Sequence, residues 1–139
     1  MLLEDDAVDA VAEFITEHGW TIESIAHATE HGDDIVATKG NEVLRVEAKG
    51  SGSSRGHSAR FGKTFTSGQV HTHVAVAVLR AMTWVSQSQS TRAAMALPDD
   101  QAHRSRIERV DASLRRLHIG VFWVTEGRAV SVDAPWRLD

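Results

Sequence analysis

The chain has 139 residues, 24% of them charged, and a formal net charge of −4. That length suits one domain spanning residues 1–139 and is enough to bury a core without covalent staples. Cysteine is absent, which excludes disulfides and thiolate metal sites, and no apolar run approaches the roughly 20 residues that span a bilayer.

The opening MLLEDDAVDAV lacks a basic segment ahead of an apolar one, so it does not read as a secretory signal and a cytoplasmic location is expected. Residues 7–18 carry Val8, Val11, Ala12 and Ile15 at helical spacing, with Gly19 as a stop. Trp20 to Ala28 predicts a strand, and His31-Gly32-Asp33 a turn. Asp34 to Thr38 predicts a short strand, Lys39-Gly40-Asn41 a hairpin turn, and Glu42 to Ala48 a buried strand. Gly50 to Gly68 reads as a long Gly- and Ser-rich loop holding Arg55, His57, Arg60 and Lys63. Ser67 to Gln87 predicts a helix that is apolar on nearly every side from Val74 to Leu79, hence a buried one. Thr91 to Leu97 is a strand ending at Pro98. Asp99 or Asp100 caps a helix in which Ile107, Val110, Leu114 and Leu117 recur in phase. Gly120 to Val132 is a hairpin turning at Glu126-Gly127. The order predicts an α/β fold in which helices flank a mixed sheet.

The charges are unevenly spread. Residues 1–47 hold twelve acids and two bases, whereas residues 48–98 hold no acid and six bases: Lys49, Arg55, Arg60, Lys63, Arg80 and Arg92. A stretch of that kind suits a surface that meets phosphates, or else a solvated basic face.

Within the central hairpin, Glu47 and Lys49 share a strand face, and an antiparallel partner brings Asp34 close to Glu47. Two carboxylates and an ammonium at a sheet end make a poor core, because buried charges are costly unless paired or bound to metal. They suit a hard cation such as Mg²⁺, with Mn²⁺ as a substitute. Asp34 and Glu47 supply oxygen ligands, the Ala48 carbonyl is a further one, and Lys49 orients a water or offsets charge on a phosphate.

These residues, Gly32-Asp33-Asp34-Ile35-Val36-Ala37 and then Val46-Glu47-Ala48-Lys49-Gly50, resemble the PD-(D/E)XK nuclease superfamily, which includes Holliday-junction resolvases and many restriction and repair endonucleases. The resemblance covers roughly residues 7–98. It implies a restriction-endonuclease-like α-β-β-β-α-β core, extended here by a C-terminal helix and β-hairpin. It also implies Mg²⁺-dependent hydrolysis of DNA. Family members often carry a glutamine on the helix after the motif, sometimes as Q-x-x-x-Y; here Gln69 opens that helix and His73 takes the tyrosine's place. An acid on the first helix reaches the metal in some members, and Glu13 is the choice here, with Asp9 the alternative. Asp33 replaces the motif's proline. Asp34 is taken as the ligand because it directly precedes the apolar strand.

The expected catalytic set is thus Asp34, Glu47, Lys49 and Gln69, with Arg55, Arg60, Lys63 and His73 gripping DNA. Gln69 has a second use open to it, as a helix cap. A homodimer is expected if both strands are cut, joined through the Trp-bearing hairpin or the 69–87 helix. The alternatives are a nuclease-like fold that binds DNA without cutting and an interaction domain without nucleic acid.

Overall fold

The computed structural model describes residues 1–27, 32–52 and 64–139. Its elements run α1 (Glu4–Glu17), β1 (Thr21–Ile25), β2 (Ile35–Lys39), β3 (Glu42–Ala48), α2 (Ser67–Gln87), β4 (Thr91–Pro98), α3 (Gln101–Glu108), α4 (Asp111–Arg116), β5 (Ile119–Val124) and β6 (Val130–Asp133). The six strands form one mixed sheet in chain order. β1, β2 and β3 are antiparallel neighbours, β3, β4 and β5 are parallel, and β6 returns antiparallel to β5. No helix among the described residues is long and apolar enough to cross a membrane.

Strand alternation divides the core into two layers. Ile35, Ala37, Leu44, Val46, Ala48, Ala94, Ala96, Phe122 and Val124 pack with Val8, Val11 and Ile15 of α1. Ala93, Met95, Leu97, Ile119, Val121 and Trp123 face the other way, against Val70, Val74, Ala77, Ala81 and Trp84 of α2 and against Ile107 and Leu114. Lining the parallel strands with Ala93, Ala94 and Ala96, all fully buried, fits this double covering.

The β2–β3 hairpin turns on two residues, Gly40 and Asn41, since Lys39 pairs with Glu42. Gly40 has φ +60, the left-handed value a two-residue turn needs at its first position and glycine adopts without strain.

Three expectations require correction. α2 is not buried around Val74–Leu79: Val76 is 48% and Leu79 66% exposed, because the helix lays one face on the sheet and nothing among the described residues covers the other. The helix after Pro98 is not continuous, since Arg109 and Val110 separate α3 from α4 and Val110 (φ −122, ψ 7) leaves helical geometry. The two pieces can then angle separately to seat Ile107 and Leu114, while Val110 stays exposed. The first strand is shorter than predicted and begins after Trp20, whose ring is buried and whose Nε1 donates to the Leu138 carbonyl (2.7 Å). Asp100, rather than Asp99, caps α3 through the His103 amide. Trp84 and Trp123 are core residues, so the C-terminal hairpin presents no exposed indole at Trp123.

The start of α1 is clamped to the chain leaving β3. The Ser51 amide donates to the Leu2 carbonyl (2.7 Å), and the Leu2 amide donates to Ser51 Oγ (3.0 Å). Gly50 makes this contact possible, because a Cβ there would lie 2.5 Å from the Glu4 amide nitrogen and 2.8 Å from the Leu3 carbonyl carbon. Gly50→Ala is therefore expected to cost about 1–3 kcal/mol, read as a lower midpoint in urea unfolding.

Candidate active site

The hairpin register assembles the site. Ile35 pairs with Val46, so one step further along both strands Asp34 stands opposite Glu47. Directly opposed residues have Cβ atoms about 5 Å apart. Ile35 and Val46 face α1, so Glu47 and Lys49 project on the α2 side. The site thus lies where β3 and its parallel neighbours end, the place where open α/β sheets most often bind ligands.

Asp34 accepts the Ala48 amide proton on Oδ2 at 2.8 Å. A residue in a strand turns its N–H and C=O to the same side, so the Ala48 carbonyl also faces the Asp34 side. Glu47 is 8% exposed, and its Oε2 lies 3.2 Å from Lys49 Nζ. Lys49 is fixed in turn by its amide, which donates to the Ala96 carbonyl (2.9 Å) and carries the β3–β4 ladder one residue further.

The electrostatics show a surplus of negative charge. Burial, then the Glu47 carboxylate, push the Asp34 carboxyl up to about 7, partly offset by the Ala48 amide. Glu4 adds to the rise, which identifies it as the α1 acid within reach of the site. Glu13 does not share that position. It lies nine residues on, about 13 Å along the axis and on the opposite side of the helix, and is exposed. Asp9 bonds His27 Nε2 (2.9 Å). Glu4 precedes Val8, Val11 and Ile15 by four, seven and eleven residues, so its place on the inward face is written in the same periodicity that marks the core.

Asp33 and Asp34 separate cleanly. Asp33 accepts hydrogen bonds from Arg45 and from Arg80 (3.0 Å), whereas Asp34 accepts from the Ala48 amide. His73 sits on the α2 wall near Lys49, its ring 4.3 Å from that of Phe65. Burial and then the Lys49 charge hold its imidazole below the ordinary value. Gln69 takes the second of its two uses: its Oε1 accepts the Thr66 amide (2.8 Å), while the Gln69 amide donates to Thr66 Oγ1 (3.3 Å), a reciprocal cap on α2. Arg55, Arg60 and Lys63 lie outside the described residues. Arg92 points elsewhere, bonding Glu42 (2.7 Å) and lying near the Trp20 and Trp136 rings.

No three His, Asp or Glu side chains gather as a metal cluster among the described residues. Two carboxylates with a backbone carbonyl are a poor set for Zn²⁺, which takes nitrogen and sulfur ligands in closed tetrahedra. The set fits Mg²⁺, which keeps several waters and is held by one or two carboxylates and substrate phosphate. The raised Asp34 carboxyl and the crowding of Glu47 and Glu4 are what a divalent cation relieves.

Gln69→Ala is expected to lose about 1 kcal/mol of stability, whereas Gln69→Glu, which keeps the acceptor, retains it in the same unfolding assay. The Asp34 shift fixes a pH dependence for the metal-free protein. The folded-state value of about 7 lies above the ordinary 3.8, so between these values the native form binds more protons than the unfolded chain. That contribution is complete below pH 3.8 and is lost as pH rises through about 7. Asp34→Asn removes the dependence, so in EDTA its melting temperature is expected to gain on the wild type from pH 5 to pH 8. A constant difference across that range would contradict the assignment. The geometry stands without relatives to compare: no protein-family model matches the chain and no curated protein matches it.

Proposed function

We propose that the protein is a metal-dependent endonuclease of the restriction-endonuclease-like kind that hydrolyses DNA phosphodiester bonds. The observation that carries the reading is the opposition of Asp34 and Glu47 at a strand end with Lys49 beside them. Keeping two carboxylates together in a sheltered place is costly unless one takes a proton or a cation binds between them. The acid-free run from 48 to 98, which supplies Lys49 and Arg80 to this face, supports a polyanionic substrate.

Asp34, Glu47 and the Ala48 carbonyl would hold Mg²⁺, with Mn²⁺ as a substitute. Bound there, the ion would supply Lewis acidity toward a phosphate oxygen and toward a nearby water. Glu47 positions Lys49, and the ammonium orients the attacking water or offsets negative charge growing on the phosphate oxygens. A lysine suits this role because it is a compact point charge with donors in three directions. The water oxygen forms the new bond to phosphorus, the bond to the sugar oxygen breaks, and the water's protons pass to solvent and the leaving oxygen. His73, on the α2 wall near Lys49, would meet the DNA backbone. One chain offers one such site, so cutting both strands of a duplex calls for a homodimer.

The test is cleavage of supercoiled plasmid and of a labelled four-way junction with Mg²⁺, Mn²⁺ or EDTA. Cutting is expected with either metal and not with EDTA. Lys49→Ala is expected to lower kcat by about 10²- to 10³-fold while leaving DNA affinity intact, and Glu47→Ala to abolish cutting. A folded wild type that cuts neither substrate even with Mn²⁺ would overturn the reading.

A further inference from the structure

We propose that Arg45, Asp33 and Arg80 form a subsite for a second phosphate of the bound strand, one nucleotide from the phosphate that is cut; this rests on the nuclease reading above. Two guanidiniums converge on one carboxylate, Arg45 from β3 and Arg80 from α2 (3.0 Å). The cluster therefore carries a net charge of +1. Asp33 is its sheltered member, with a side chain 19% exposed, whereas Arg45 and Arg80 are 35% and 43% exposed. One arginine is enough to balance the charge of Asp33, although each of its oxygens accepts from a different arginine here, and half-exposed pairs of this kind contribute little to stability. The second arginine leaves positive charge unmatched on an open face, where an anion is favoured.

The surroundings define the ligand. The three side chains line a cleft of about 550 Å³ between the β3 face and α2. Val76, Leu79 and Trp84 give part of its wall an apolar surface for a sugar ring, and Thr83 and Gln87 add polar groups beside it. Arg45 and Glu47 lie two apart on one strand face, about 6.6 Å from each other, a distance one nucleotide of a polynucleotide backbone spans. Asp33 adjoins Asp34 in the chain, so the cleft opens beside the metal-binding pair. Each guanidinium has five donors in a planar fork suited to phosphate. With Asp33 holding both forks in place and the Arg80 guanidinium 5.9 Å from the Trp84 ring, less side-chain freedom is lost when the ligand arrives.

The experiment compares Arg80→Ala and Arg80→Lys with the parent protein in a Glu47→Ala background, so that DNA is bound and not cut. Anisotropy of a fluorescein-labelled 20-base-pair duplex is followed from 50 to 250 mM NaCl. Arg80→Ala is expected to bind about five- to tenfold more weakly, and its log–log salt slope is expected to be smaller by about 0.9, the loss of one phosphate contact. Arg80→Lys is expected to recover the slope but only part of the affinity, because the charge returns without the fork. In the native active site, Arg80→Ala is expected to raise KM and leave kcat within about twofold. Arg80 is 43% exposed and Asp33 keeps Arg45, so the variant is expected to melt with the parent.

Equal affinity and equal slope for Arg80→Ala, with a wild type that cuts, would overturn the subsite and leave the nuclease standing. A deficit in Arg80→Ala, with no cutting by the wild type, would keep the subsite as a DNA-binding feature and overturn the nuclease. A parent protein that binds no duplex would overturn the subsite, and with it the nuclease only if the wild type also cuts neither plasmid nor junction. Displacement of the duplex by inorganic phosphate at a concentration where added NaCl of equal ionic strength has no effect would assign the cluster to free phosphate and overturn the proposal.

Discussion

The constraint on which the rest of the molecule depends is the forced approach of two carboxylates at the end of the β2–β3 ladder. The hairpin register puts Asp34 and Glu47 together, and a proton held on Asp34 lets the two side chains hydrogen-bond to each other. The repulsion and desolvation that follow are visible in the Asp34 carboxyl, held far above its ordinary value. The protein tempers them with the Ala48 amide on one acid and the Lys49 ammonium by the other. Neither partner removes the strain on its own. A backbone amide carries only a partial charge, and the Lys49 ammonium lies against Glu47.

The two-layered core explains how such a site is tolerated. Leu44, Val46 and Ala48 anchor one face of β3 among fully buried side chains of α1, which leaves the strand no freedom to rotate. The opposite face of the same strand is thereby committed to presenting Arg45, Glu47 and Lys49. Hydrophobic burial on one side thus sets the electrostatics on the other. α2 closes over that second face. Its capped start brings His73 near Lys49, and its middle brings Arg80 to Asp33.

Much of this was legible in the sequence, for identifiable reasons. Strand alternation placed Glu47 and Lys49 together, the short turn at Gly40 placed Asp34 across from them, and the capped, in-phase segments gave the helices to within a few residues. What could not be read depends on contacts between distant parts. In α2 the run Val74–Leu79 lacks a polar residue, so its periodicity does not say which side meets the sheet; only the fold shows that Val76 and Leu79 are left outside. The break at Arg109 and Val110 has no glycine or proline to announce it, and the apolar phase continues straight through. The sequence points to Glu13, with Asp9 the alternative, and Glu4 does not come into consideration because starting α1 at residue 7 leaves it outside the helix. In the sequence Asp34 is preferred to Asp33 only for its place directly before the apolar strand; the pairing of Asp33 with Arg45 and Arg80 gives that choice a physical reason.

The two-residue turn at Gly40 and Asn41 carries a further implication. It lies about 20 Å along the strand from Asp34, on the far end of the hairpin, where nothing touches the site. Yet the length of that turn sets which residue of β3 faces which residue of β2. One residue more or fewer and either the ladder slips or a bulge absorbs the change; in a slip, Asp34 would stand across from Val46 or Ala48 instead of Glu47. Loops on a surface usually tolerate changes of length, but this one acts as a ruler. Its span is part of what specifies the Asp34–Glu47 pair, even though none of its atoms belongs to that pair.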